Sequence, residues 1–277
     1  MRKLITVLVL AIAPHAFAGA IFLTGHDPDF HALLGGNSTG AVNINHAAID
    51  FVMDPAFNPF VSGGVNTFLF VESKIVPPAG HTNGVNGIVA SGYTAGVDFE
   101  HHDASTLDAE LDLLGTKYSA IVVASDFGGV LTSAELNTLN SRSTDIITFL
   151  NDGGGIYAMA NSNSQAQLTT GAEPYGYLPF VVVAPQLNQN ETGFTVTPFG
   201  ASLGLTNSDT NGNASHNIFT GSFGLNIVDR DANGNILSLA ARAPVGPGGV
   251  VPEPSTFMLL GAGLAMMWVA TRRRSQS

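Results

Sequence analysis

Tyr118-Ser119-Ala120-Ile121-Val122-Val123-Ala124-Ser125-Asp126-Phe127-Gly128-Gly129, then Thr132-Ser133-Ala134-Glu135, and finally Gly153-Gly154-Gly155-Ile156-Tyr157-Ala158-Met159-Ala160, is the stretch that decides the fold class. Ala120–Ala124 is an unbroken apolar run of strand length, as expected for a strand buried on both faces. Thr132 is placed as a helix N-cap, with Glu135 as its capping-box partner. Leu136, Leu139, Ile146, Ile147 and Leu150 carry a helix forward to the three glycines, a strong stop. Ile156–Ala160 then reads as the next strand. A strand, a helix and a strand in succession predict a parallel sheet covered on both faces.

The pattern extends in both directions. Ala20–Thr24 predicts a buried strand ending at Gly25, and Val42, Ala48, Phe51 and Val52 give helical spacing between Ala41 and Met53. Thr67–Val71 predicts a second strand and Val97–Glu100 a weaker one. Beyond the glycines, Phe180–Ala184, Gly193–Pro198, Leu225–Val228 and Ile236–Ala240 read as strands with few helices between them. The expected architecture is therefore three-layer α/β, with a mostly parallel sheet finishing in a C-terminal β-hairpin. Asn-Gly pairs at 83–84, 86–87, 211–212 and 233–234 are scattered turn signals, with no repeat of fixed period.

The two ends of the chain read as addresses. Arg2 and Lys3, the apolar run Leu4–Ala13 and Ala16-Phe17-Ala18 make a secretory signal peptide over 1–18. At the other end come Pro252-Glu253-Pro254, an apolar run from Phe257 to Ala270, and Arg272-Arg273-Arg274. With flanking Thr256 and Thr271 the run predicts a short transmembrane helix over 256–271, its arginines on the cytoplasmic side. Pro244, Gly246, Pro247, Gly248 and Gly249 make 244–251 a linker, leaving 20–243 as one domain.

This tail resembles the PEP-CTERM sorting signal, with Pro252, Glu253 and Pro254 matched residue for residue and Arg272, Arg273 and Arg274 closing it. The signal peptide implies export through the Sec translocon and cleavage by signal peptidase, and the resemblance of the tail implies an inner-membrane-anchored precursor processed by an exosortase. It further implies a Gram-negative host, a destination in the cell envelope or outside the cell, and association with exopolysaccharide or biofilm.

A second resemblance runs from Tyr118 through Ser125-Asp126-Phe127-Gly128-Gly129 to Asn151-Asp152-Gly153-Gly154-Gly155. It is similar to class I glutamine amidotransferase-like domains, and implies a sheet of that or flavodoxin-like kind. His216-Asn217-Ile218-Phe219 is similar to the His-Pro-Ile/Leu segment of trehalose-utilisation-type members, with Asn217 in place of proline. The elbow cysteine of true amidotransferases is missing. The corresponding residues are Ala160-Asn161-Ser162-Asn163-Ser164, which do not form a Gly-x-Ser-x-Gly elbow either.

Composition narrows the function. With the two address segments set aside, five basic residues face 20 acidic ones, a net charge near −15. That excludes nucleic acid as a partner, since its binding needs clustered Lys and Arg. The chain has no cysteine, which rules out a thiol nucleophile.

Open parallel sheets bind ligands beyond the carboxyl ends of their strands. The residues expected there are His26, Asp27, Asp29 and His31 after the first strand, Asp126 after the central one, Asn161 after the next, and His216 from the later segment. His and Asp supply the N and O ligands that zinc or manganese accepts, so this set is a candidate ligand or divalent-metal site. His101-His102-Asp103 is a lesser cluster. Asp229-Arg230-Asp231-Ala232-Asn233-Gly234 matches the start of a calcium loop, but Ala240 stands where the bidentate Glu belongs, and an Asn-Gly hairpin fits better. The expectation is a non-catalytic ligand- or glycan-binding domain. The alternative is a metal-assisted or serine hydrolase acting on exported polysaccharide or peptide.

Overall fold

The computed structural model describes residues 18–162, 168–187 and 192–242. The expectations for the signal peptide, linker, sorting motif and helix 256–271 lie outside those residues. Among the described residues no helix is long and apolar enough to cross a membrane.

The chain runs β1 (Ala20–Thr24), α1 (Pro28–His31), α2 (Ser38–Val52), α3 (Pro59–Ser62), β2 (Phe68–Val71), α4 (Val85–Ala90), β3 (Phe99–His102) and α5 (Leu107–Leu111). It continues with β4 (Ala120–Val123), α6 (Ser133–Ser141), α7 (Ser143–Asn151) and β5 (Gly155–Ala158), then β6 (Thr195–Val196), α8 (Pro198–Ser202), α9 (Asn207–Thr210), β7 (Asn226–Arg230) and β8 (Ile236–Arg242). The strands form one sheet in the order β3-β2-β4-β5-β1-β8-β7-β6. The first five strands in that order run parallel, while β8, β7 and β6 pair antiparallel.

All residues of β1, β2, β4 and β5 are buried, as strands covered on both faces require. The core centres on Phe22, whose ring meets Phe51 and Tyr157 edge-on at 6.3 and 5.6 Å. Tyr157 keeps its hydroxyl satisfied by donating to Asn45 Oδ1 at 3.1 Å, and the Asn45 amide donates in turn to the Pro28 carbonyl and Ser91 Oγ. Burying a tyrosine is tolerable because its polar end finds a partner.

Four sequence expectations shift. The helix after Thr132 is two helices, α6 and α7, meeting at Arg142 (φ −101°, ψ 17°). Its guanidinium bonds Asp108, Asp112 and Asp145 there, so side-chain pairing settles what propensity leaves open. Phe180–Ala184 is not a strand. Segment 183–187 instead makes scattered bonds to His216, Ile218 and Thr220, and Pro185 cannot donate to a ladder. Gly193–Pro198 contributes only the two residues of β6, and the third parallel strand lies at Phe99–His102, two residues later than its pattern suggests.

The capping box forms as predicted, with both Thr132 and Glu135 contributing. Glu135 also accepts a bond from Ala104 N at 3.0 Å, tying α6 to the turn before α5. Thr132→Ala is expected to lower unfolding stability by about 1 kcal/mol, with Thr132→Ser close to wild type, as read by urea denaturation.

Candidate functional site at the carboxyl edge of the sheet

The seven sequence-predicted residues all lie at the carboxyl edge, and none is more than 6% exposed. They fall into separate neighbourhoods. Gly25 ends β1 with its amide on the Leu237 carbonyl, and its own carbonyl accepts from His216 N at 2.7 Å. A Cβ on Gly25 would lie 2.0 Å from the Asn217 carbonyl oxygen, so only glycine lets these two segments touch. That contact brings His216 to the residues that follow β1.

Asp27 is flanked by two imidazoles. His31 Nε2 lies 3.3 Å from Oδ1, and His216 Nε2 lies 3.2 Å from Oδ2. Neither carboxylate oxygen of Asp27 accepts a hydrogen bond of normal geometry. Phe127 covers His216, with ring centroids 4.3 Å apart. Backbone at Gly128 (φ +91°) presses close enough that a Cβ there would sit 2.4 Å from Asp27 Oδ2.

His26 turns away from this group. Its Nδ1 donates to the Ala214 carbonyl and its Nε2 to Asp229 Oδ2, each at 2.9 Å. Both ring nitrogens face acceptors, which suits an imidazolium. Burial pushes the His26 pKa down, but the charge and hydrogen bond of Asp229, with help from Ala214 and Asp27, carry the net shift upward.

Asp29 belongs to a third group. It accepts from Ser125 N at 2.9 Å, Ser125 Oγ at 2.7 Å and Phe30 N at 3.1 Å. Burial, with the nearby Asp27 charge, pushes its pKa up to about 7. Hydrogen bonding agrees, because the single Ser125 hydroxyl proton has two acceptors, Asp29 Oδ1 and the Phe127 carbonyl at 2.9 Å. A protonated Asp29 resolves the conflict by donating to Ser125 Oγ. Glu72, at the end of β2, accepts from the backbone of Gly84, Val85 and Val130, and burial beside Asp29 pushes it up to about 8.

Asn161 is held on every side. Its amide donates to the Ala124 and Met159 carbonyls, and its Oδ1 accepts from Tyr177 at 2.6 Å. Asp126 accepts from Thr169 Oγ1 at 2.5 Å. Both side chains knit loops together. Sequence reasoning missed Glu72, Ser125, Thr169 and Asp229. The first two follow strands, so the same edge rule locates them. Asp229 enters the sequence pattern only through a calcium-loop match and an Asn-Gly hairpin, and its actual partner, His26, is 203 positions away.

The lesser cluster at His101-His102 divides as well. Burial lowers His101 to about 4, helped by Lys74, while its Nε2 donates to the Glu72 carbonyl. His102 joins Glu100 and Glu110, whose ligand atoms all lie within 4.8 Å of one another. Lys117 Nζ already sits 2.7 Å from Glu100 and 3.0 Å from Glu110, in the place a cation would take. In the turn after β7, the Asp231 carboxylate accepts from Asn233 N, Asn235 N and Asn235 Nδ2, and Asp229 faces His26, so neither offers a calcium loop. Grooves of about 410, 380 and 350 Å³ open elsewhere, and none is lined by the predicted residues.

Among known families, a model described as the PEP-CTERM protein-sorting motif matches residues 250–274. The chain is an exported, exosortase-processed protein of the cell envelope. The match covers the sorting tail and does not extend to the α/β body. No curated protein matches the chain.

Proposed function

We propose that the α/β body, residues 20–243, is a non-catalytic binding module, delivered through the inner membrane of a Gram-negative bacterium to bind a neutral exopolysaccharide. One observation supports the non-catalytic reading above all. Among the described residues, neither serine that follows a strand at the carboxyl edge hydrogen-bonds an imidazole. Ser125 Oγ faces Asp29 and the Phe127 carbonyl, and Ser162 Oγ donates to the Ala184 carbonyl at 2.6 Å. No imidazole stands against either serine, as an activated nucleophile would need. The net charge near −15 favours a neutral glycan over an anionic one.

The strand order supports kinship with flavodoxin- and amidotransferase-like sheets through a permutation. Counting β2 as the first strand, β3-β2-β4-β5-β1 reads 2-1-3-4-5, with the N-terminal strand in fifth place. The hydrolase reading draws on one feature, Asp27 between His31 and His216.

Electrophoresis of the purified protein through gels cast with neutral or anionic polysaccharide tests the proposal. Retardation by the neutral polymer without release of reducing ends is the expected result. Release of reducing ends that Asp27→Asn abolishes would replace binding by hydrolysis.

A further inference from the structure

We propose that Asp27, His31 and His216 hold one divalent transition-metal ion. This deepens the binding reading and rests on the same carboxyl-edge site. The buried carboxylates at this edge differ sharply in their partners. Glu72 receives three backbone N–H donors and Asp29 two, with Ser125 Oγ as a further hydrogen-bond partner, whereas the Asp27 carboxylate, 1% exposed, receives none. A buried carboxylate without donors needs a cation nearby.

The imidazoles come close without aligning as donors. Their Nε2 atoms lie 3.3 and 3.2 Å from the two oxygens, yet neither contact has hydrogen-bond geometry. Two ligand atoms bound tetrahedrally to one ion at about 2.1 Å stand roughly 3.4 Å apart, so the spacing suits ligands better than hydrogen-bond partners. His31 also makes no hydrogen bond through Nδ1, so no second bond fixes its ring against the approach of an ion. The three donor atoms are not all within 4.8 Å of one another, so loading draws an imidazole inward over Asp27. The covers are apolar or small: Phe127 on His216, and Gly128 against Asp27. A nitrogen and oxygen donor set without sulfur suits zinc, cobalt, manganese or iron.

The test uses the full chain, purified without an affinity tag, stripped with EDTA and dialysed against zinc. Expected are about one zinc per chain by elemental analysis and, with cobalt(II) in its place, visible absorption bands of nitrogen and oxygen ligation. Asp27→Asn and His216→Ala should weaken zinc binding at least about tenfold, and His102→Ala should leave it unchanged. If those two variants fail to fold, the cobalt spectrum of the wild-type protein decides. No zinc uptake by folded wild-type protein overturns the proposal. So does zinc that survives Asp27→Asn but is lost with His102→Ala. Repeating the polysaccharide gels with and without EDTA separates the two claims. Retardation with no zinc uptake sinks the metal alone, and zinc uptake with no retardation sinks glycan binding alone.

Discussion

Asp229→Ala is expected to destabilise the protein by about 3–5 kcal/mol, because it strands His26 as a buried charge without its partner. His26 and Asp229 are 1% and 0% exposed at a separation of 2.9 Å. The bond also joins β7 to the segment after β1, so its loss loosens the seam between the parallel and antiparallel halves of the sheet. The effect has a defined pH dependence. The folded-state pKa of His26 is raised above its ordinary 6.5. The stability it contributes is therefore fully present below about 6.5 and is lost as pH rises through the folded value. The Asp229→Ala penalty should be largest near pH 5.5 and shrink toward pH 9. Replacing both residues by leucine should cost much less than the single change, since neither charge then remains buried. Urea unfolding of the single and double variants at both pH values checks this. A penalty independent of pH would mean that His26 is neutral in the folded protein.

Asp29 and Glu72 bring the opposite chemistry, with a related pH trend. Their pKa values are raised to about 7 and about 8, from 3.8 and 4.5, chiefly by burial. Between those limits the folded protein holds protons that the unfolded chain has released, so stability falls as pH rises. At about 1.4 kcal/mol per pKa unit, each carboxyl contributes a decline on the order of 4 kcal/mol at most from pH 4 to pH 8. Asp29→Asn should remove its share of the slope, because the asparagine amide can donate to Ser125 Oγ as the protonated acid does. Glu72→Gln should flatten the upper part of the range. Stability that rises between pH 5 and pH 8 would show that both carboxylates are ionised in the fold.

Much of the architecture was readable in short segments. The runs at Ala20–Thr24, Thr67–Val71 and Ala120–Ala124 become strands because each is apolar apart from a terminal threonine in the first two, which leaves little alternative to burial on both faces. Thr132 and Glu135 mark a helix start through bonds made within four residues. The break at Arg142 was not readable, because the aspartates that hold it lie up to 34 positions away. The site followed the same division. Its residues could be named from their places after strands, but their grouping could not. Asp27 and Asp29 are two positions apart, yet one faces imidazoles and the other Ser125.

The sequence alone determined the address, since the sorting motif is a linear pattern legible within residues 250–274 without any long-range contact. It likewise determined the acidic, cysteine-free chemistry and the alternation of strand and helix. Tertiary structure decided the strand order, with β1 between β5 and β8, and it decided that His216 meets Asp27 across 189 positions. Local propensities act over a few residues. Which strand lies beside which is set by burying all the apolar faces at once, and the charges left at the carboxyl edge take whatever partners that packing brings them.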